Sequence, residues 1–277
     1  MKRILLFVLL SSMLLFTGCK KNSSPVSAVI AKCKPVSEYT NLSGNAATYE
    51  YVYGTDGNIS SLKKYIGGGY HVLADSLLVF YDHTERFTPG ITMGSFNKVN
   101  TVFNANIFTG SPTRADISIT LDGVEQRNYY TYSFSYDTKN RLAKISEQTN
   151  TVLNDLEYDL FIIYNDQNNV SELRYEATTG PRTVTVIAAS GYDNKHTPFA
   201  GIINWPMLMH AGWASSDSEP LFTALSKNNP LGFEIPGWKR TITYAYNDNG
   251  FPVTRFSTNT TASATYSFEE NFSCQCN

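Results

Sequence analysis

Residues 132–145 read Tyr-Ser-Phe-Ser-Tyr-Asp-Thr-Lys-Asn-Arg-Leu-Ala-Lys-Ile. In the first five residues, aromatic side chains alternate with serines, which is the period of a strand with one apolar face. The Asp-Thr-Lys-Asn cluster then turns the chain, because Asn140 tolerates the positive φ that tight hairpin turns require. Leu142 and Ile145 supply the apolar face of a return strand. The stretch therefore predicts a β-hairpin.

The same pattern recurs along the chain. Tyr53, Tyr136 and Tyr164 are each followed by Gly or Asn at the fourth position and by aliphatic residues at the sixth and ninth positions. Tyr246 begins a similar segment with one residue inserted, and Tyr136, Tyr164 and Tyr192 are spaced 28 residues apart. Recurrence at a fixed period is typical of stacked supersecondary units. We therefore predict an all-β fold, built as a large antiparallel meander of β-hairpins.

Composition agrees with strands and tight turns, since the chain contains 18 Tyr and 16 Phe. One stretch, residues 197–237, departs from the pattern with five prolines and short helix-prone runs at 202–211 and 221–226. We predict a single β-rich domain over residues 32–277, with a helical and loop insertion at 197–237 that caps or plugs the sheet.

The N-terminus has the features of a lipoprotein signal peptide. Lys2 and Arg3 precede an apolar run at 4–16, which is too short to span a bilayer as a helix. The run ends in Leu-Phe-Thr-Gly-Cys, which resembles the bacterial lipobox. This order predicts a signal peptide over residues 1–18 and lipidation of Cys19.

Residues 19–31 are polar and lack an apolar period, which predicts a flexible tether. Two or three acyl chains on one cysteine hold a protein far more firmly than one. By resemblance to bacterial sorting signals, Lys20 favours delivery to the outer membrane, and the lack of an acidic cluster after Cys19 favours the periplasmic face over the cell surface. Without Lys2 and Arg3, 20 basic residues oppose 24 acidic ones, a net charge of −4, so no nucleic-acid partner is expected.

Three further cysteines, Cys33, Cys274 and Cys276, allow one disulfide bond and leave one thiol free. Cys274 and Cys276 would lie about 6.7 Å apart on a strand, at the upper edge of disulfide reach. A bond from Cys33 to Cys274 or to Cys276 is favoured, and it would join the first strand to the last. Buried free thiols are the alternative.

Two hairpins, at 51–59 and 136–142, resemble the YD repeats of Rhs and teneurin proteins. The whole arrangement is similar to Bacteroidetes lipoproteins classed as a domain of unknown function with a porin-like fold. The features that carry this resemblance are the lipobox, Cys33 before the first hairpin, the Tyr-x-Tyr hairpins, and the stretch at 192–199 that leads into an apolar segment. The resemblance covers residues 30–276. It implies an antiparallel sheet curled into a barrel or half-barrel, and it supplies no catalytic residues.

No nucleophile elbow, His-Glu-x-x-His motif, phosphate-binding loop or dinucleotide fingerprint is present in the sequence. Asp82-His83, and Asp193 with His196, are interpreted as loop residues rather than metal ligands. We therefore expect no catalytic residues, no cofactor and no metal. Three tryptophans in or beside the insertion could stack on a sugar ring, although packing onto the sheet is favoured. They are Trp205, Trp213 and Trp238.

Three functional hypotheses follow. The favoured one is a non-enzymatic binding or scaffold lipoprotein of the outer membrane, which engages a protein or glycan partner. The alternative is a glycan-acting enzyme, which requires two facing carboxyl groups on the concave side of the sheet and a raised pKa on one of them. The third is a barrel inserted in the membrane, against which the Ser/Thr character of the second strand face argues.

Overall fold

The structure is a computed structural model, and it describes residues 33–42, 45–55, 57–66, 72–79, 83–88, 97–104, 111–121, 124–149, 157–200 and 219–276. Residues 33–277 form one compact unit. The predicted signal peptide, Cys19 and the tether lie outside the described residues. Within the described ranges, no helix is both long and apolar enough to cross a membrane.

The prediction of an all-β antiparallel meander is confirmed, and the described sheet closes into a barrel. Each strand pairs with its neighbours in sequence, and β1 pairs with β16 from Cys33–Cys276 to Thr40–Glu270. The strands are β1 Cys33–Leu42, β2 Asn45–Tyr53, β3 Ile59–Ile66, β4 Val72–Val79, β5 His83–Thr88, β6 Asn97–Phe103, β7 Arg114–Leu121, β8 Val124–Tyr136, β9 Leu142–Thr149, β10 Tyr158–Tyr164, β11 Val170–Ala177, β12 Val184–His196, β13 Asn228–Ile235, β14 Trp238–Tyr246, β15 Pro252–Thr261 and β16 Thr265–Cys276. One helix, α1 Glu219–Leu225, lies between β12 and β13.

The four predicted turns share one conformation. The residue four positions after the tyrosine has positive φ in each, at Gly57 (79°), Asn140 (58°), Asn168 (63°) and Gly250 (76°). Its amide donates to the carbonyl three residues earlier at 2.9 to 3.1 Å. Gly and Asn occupy these positions because most side chains disfavour left-handed backbone.

Four tyrosines link neighbouring hairpins. Three of them precede these turns, and the fourth, Tyr192, lies 28 residues after Tyr164. Their hydroxyls donate to backbone carbonyls 18 to 24 residues earlier in the chain, at 2.6 to 3.0 Å. Each bond satisfies a phenol that would otherwise be buried without a partner. The pairs are Tyr53 with Pro35, Tyr136 with Pro112, Tyr164 with Leu142, and Tyr192 with Val170.

Apolar side chains from β6 to β14 and from α1 converge in one buried cluster. Side chains from nine successive strands of a closed barrel can meet only inside it, so this cluster fills the part of the interior that these strands enclose. In α1, Leu221 and Phe222 are fully buried, and the Phe222 ring lies 4.6 Å from that of Phe233. The helix therefore acts as an internal plug. We call this region the apolar side of the interior.

The outward-facing positions carry many polar side chains together with separate exposed apolar ones, such as Val102, Ile163, Val184 and Phe256. On β9 to β11, Lys144 forms an ion pair with Asp159 at 2.9 Å, and the Phe161 ring lies between Lys144 and Arg174. On β14 exposed residues alternate with buried or partly buried ones, and on β16 the same alternation runs from Ser267 to Gln275. The exposed residues at the outward positions of these two strands are Lys239, Thr241, Thr243, Ala245, Thr265, Ser267, Glu269, Asn271, Ser273 and Gln275.

The predicted insertion at 197–237 is too long and is corrected by the structure. Residues Asn228–Ile235 form β13, which pairs with both β12 and β14. The prolines that suggested a loop have other roles: Pro230 lies where the β12–β13 register shifts, and Pro236 precedes Gly237 in the turn to β14. Proline is tolerated at such irregular positions because it needs no ladder hydrogen bond there.

A polar charged cluster inside the barrel as candidate functional site

The part of the interior enclosed by β14, β15, β16, β1 and β2 differs from the rest, and we call it the polar side. On β15, the three inward-facing residues Arg255, Ser257 and Asn259 are all at least 93% buried. On β16, Glu270 is buried between Phe268 and Phe272. Polar groups therefore occupy inward positions that are mainly apolar on β7 to β12.

Arg255 lies between two carboxylates. Its guanidinium forms an ion pair with Glu270 on the adjacent strand β16, and it lies 3.5 Å from Glu38 on β1. The hydroxyl of Tyr51 on β2 donates to Glu38 at 3.1 Å. The side chains of Glu38, Arg255 and Glu270 are exposed by 16%, 8% and 7%. We call Glu38, Tyr51, Arg255 and Glu270 the charged cluster.

Burial shifts the ionisation of this cluster. It raises the pKa of Glu38 to about 7, because desolvation and the nearby Glu270 outweigh the attraction of Arg255 and the hydrogen bond from Tyr51. It also raises the pKa of Tyr51, because the phenolate would be desolvated next to Glu38. Among the described residues, one guanidinium thus faces two carboxyl groups, and a proton on Glu38 leaves the three groups neutral overall.

Aromatic rings link the charged cluster to the start of the insertion. The Phe199 ring lies 6.2 Å from Tyr51 and 5.5 Å from Phe272. Arg255 in turn stacks over Phe272, with its guanidinium carbon 5.5 Å from the ring centroid. The first residues of the insertion are therefore packed on the side chains that hold Glu38 and Arg255.

A second buried arginine lies next to the cluster. Arg240 on β14 donates to Asn259 at 2.7 Å and lies 5.2 Å from the Trp238 ring and 5.1 Å from the Phe268 ring. Trp238 also packs against the apolar cluster. Of the three tryptophans considered for ligand binding, Trp238 thus contacts a buried arginine, whereas Trp205 and Trp213 lie outside the described residues.

The cysteines meet where the barrel closes. Cys33 is disulfide-bonded, and Cys276 lies directly opposite it in the β1–β16 register. Cys274 is a free thiol opposite Pro35, and burial raises its pKa. The register therefore places the backbones of Cys33 and Cys276 side by side where the first strand pairs with the last.

Asp193 and His196, the residues considered for metal binding, both belong to strand β12. Asp193 accepts hydrogen bonds from the backbone of Lys195 and Asn229 and from the hydroxyl of Tyr246. His196 ends β12, opposite Asn228. Within the described ranges, no three His, Cys, Asp or Glu side chains converge as a metal site would require. His83 begins β5, and Asp82 lies outside the described residues.

Sequence reasoning missed Glu38, Arg255 and Glu270. One signal could have found Glu270, because it occupies the inward parity of β16 between Phe268 and Phe272, where an apolar residue is expected. No pattern in the sequence indicates that Glu38, more than 200 residues away, meets it. That proximity depends on the closure of the barrel.

The comparisons with known proteins concern the fold. A solved structure of a porin-like protein from Bacteroides uniformis is similar, with a TM-score of 0.57 and 14% identity, over 88% of this chain and 98% of that one. A porin-like protein from Bacteroides vulgatus matches with a TM-score of 0.37 and 10% identity, over 87% of this chain and 98% of that one. No family model matches the chain, and no curated protein matches it. At 14% identity, the likeness to the first structure shows a shared porin-like fold and nothing further.

Proposed function

We propose that the chain is a lipid-anchored, non-enzymatic binding or scaffold protein of the outer membrane, whose barrel lies in the aqueous space beside the bilayer. The anchor would be acylated Cys19, and residues 19–31 would tether the barrel to it. The lipobox-like sequence and the polar segment after it support this anchor.

The observation that carries the proposal is the distribution of polarity across the barrel wall. A membrane barrel presents an apolar band to lipid and a polar lumen. Here the described outer positions of β9 to β11 carry Lys144, Asp159 and Arg174 beside Phe161 and Ile163, and the interior of the same strands is apolar. Such a wall suits water outside and a packed core inside. The outer surface is then the surface available for a partner.

Photocrosslinking on intact cells tests this proposal. A photoreactive phenylalanine analogue would replace Phe256 or Val184, which are exposed outward on β15 and β12. We expect crosslinks to a discrete envelope protein or glycan from the anchored chain. The matched control has the same analogue in a chain that carries a cleavable secretory signal in place of residues 1–19. Crosslinks only to phospholipid from both positions would contradict the proposal, since they would place the wall inside the bilayer.

A glycan-acting enzyme is the second candidate, and the charged cluster favours it. A carboxyl group with a pKa near 7 beside a second carboxyl is the arrangement that general acid catalysis of glycoside hydrolysis requires. Its weakness is Arg255, which contacts both carboxyl groups and occupies the space between them. Release of reducing sugar from envelope polysaccharides by the mature chain, abolished in both Glu38→Gln and Glu270→Gln, would support this candidate. Equal activity in either variant would exclude it.

A further inference from the structure

We propose that Glu38 holds a proton beside Arg255 and Glu270, and that loss of this proton releases Phe199 from the barrel wall and admits water to the polar side. The charged cluster is then a pH-sensitive switch that controls whether residues 197–200 stay packed on the barrel. This inference is independent of whether the protein binds a partner or acts on a glycan.

Glu38 retains a proton because two carboxyl groups contact a single guanidinium in this cluster. Glu270 on β16 and Glu38 on β1 approach the same guanidinium, which extends from β15, and β16 is paired with both β15 and β1. One cation neutralises one carboxylate, and a second carboxylate in a buried site favours its protonated form. The remaining groups near Glu38 do not supply a further cation: they are Tyr49 and Tyr51 on β2, Phe272 on β16, Tyr244 on β14 and Phe199 from the insertion. The other described cations on this face have partners of their own: Arg240 on β14 donates to Asn259, Lys34 on β1 donates to the carbonyl of Gly57, and Lys64 on β3 lies over the ring of Tyr49.

The contacts of Phe199 couple the proton to the insertion. Phe199 packs on Tyr51, which donates to Glu38, and on Phe272, which stacks with Arg255. When Phe199 leaves, water reaches Glu38 and its pKa returns towards the ordinary value of 4.5. The open form therefore holds fewer protons than the closed form between pH 4.5 and 7, so opening is favoured as the pH rises through this window and is constant above it.

A buried hydroxyl provides a place for the entering water. Ser257 faces the interior two residues from Arg255, is 1% exposed, and its Oγ has no hydrogen-bond partner within the described part of the chain. A buried hydroxyl without a partner costs free energy, and an internal water satisfies it when other polar groups are near. Arg255 and Asn259 flank Ser257 on the same face of β15.

Hydrogen exchange of the mature chain between pH 5 and 8, corrected for the intrinsic rate, tests the switch. The amides of Thr197, Phe199 and Ala200 are hydrogen-bonded, so their exchange reports opening. We expect their opening to increase with pH up to 7, by at most about tenfold per pH unit, and to level off above it. Amides of β9 to β11 serve as the reference for global unfolding and should stay much more protected than these three amides at every pH.

Variants separate the switch from ordinary local mobility. Glu38→Gln, which mimics the protonated form, should make the opening of residues 197–200 independent of pH. Glu147→Gln is the matched control, because Glu147 accepts from Tyr132 at 2.7 Å in the same way on the apolar side, and it should leave the pH dependence in place. A pH dependence that persists in Glu38→Gln, or a wild-type profile that is flat, overturns the proposal.

Titration of Glu38 by nuclear magnetic resonance tests whether Glu270 contributes to the retention of its proton. The side-chain carboxyl carbon signal of Glu38 should titrate at a lower pH in Glu270→Gln than in the wild type, because Arg255 then neutralises Glu38 alone. An unchanged midpoint would show that the two carboxyl groups titrate independently, which contradicts the proposal.

Discussion

The apolar and polar sides of the barrel interior are built on the same alternating strands, yet they hold opposite kinds of side chain. On the apolar side, Phe222 of α1 packs on Phe233 within a continuous cluster. On the polar side, Arg255 stands between Glu38 and Glu270. Packing of apolar side chains stabilises a fold, whereas buried ion pairs seldom contribute net stability over apolar residues of similar size. The comparison indicates that the apolar side carries the stability and that the polar side serves another purpose.

The sharpest test of this division is Phe222→Ala. Phe222 is completely buried, so its truncation leaves a cavity and should lower the free energy of unfolding by about 3 to 5 kcal/mol in urea denaturation. The control is Phe256→Ala on the outer face, which is 47% exposed and should change stability by no more than about 0.5 kcal/mol. Equal losses in the two variants would show that α1 does not plug the interior.

Arg255→Met examines the polar side. At pH 8 it leaves two buried carboxylates without their cation and should cost about 3 kcal/mol. At pH 5 the loss should be smaller, because Glu38 takes up a proton and one of the two negative charges disappears. The measurement is urea denaturation at both pH values. A loss that does not depend on pH would mean that the charges of the cluster are already solvated.

Glu38→Gln should remove a pH dependence from global stability. The pKa of Glu38 is raised to about 7 in the folded chain, so the folded state retains its proton longer than the unfolded state does. Wild-type stability should therefore fall relative to Glu38→Gln between pH 5 and 7, by about 2 kcal/mol, and stay constant above pH 7. The difference in free energy of unfolding between the two chains across this range gives the result. A wild-type chain that loses stability relative to Glu38→Gln as the pH falls from 7 to 5 would have the wrong sign for a raised pKa.

The smallest effect is expected from Tyr164→Phe, which tests a bond between hairpins. The Tyr164 hydroxyl donates to the carbonyl of Leu142 at 3.0 Å, and its removal should cost about 1 kcal/mol. Tyr266→Phe, at an exposed position on β16, is the control and should be neutral in thermal unfolding. If neither substitution changed the thermal stability, the bond from Tyr164 to Leu142 would make no contribution to holding the two hairpins together.

The turns and strands of this fold can be predicted from the sequence because they depend on residues that are close together in the chain. The turns at Asn140 and Asn168 follow from residues that tolerate positive φ, and the strands follow from period-two alternation. The location of β13 was not predicted, since Pro230 and Pro236 suggest a loop until the bulge in the β12–β13 register is known. The charged cluster was not predictable either, because Glu38 meets Arg255 only through strand order and closure, which local patterns do not encode.

The central claim is that the barrel wall faces water outside and a packed core inside. Sedimentation velocity of residues 20–277, exported with a cleavable secretory signal and therefore without acyl chains, tests it most directly. The account predicts a folded, homogeneous species in buffer without detergent, with the far-ultraviolet circular dichroism of a β-protein. A chain that aggregates in buffer and folds only in detergent micelles or lipid would show that the outer face requires lipid, and it would contradict the account.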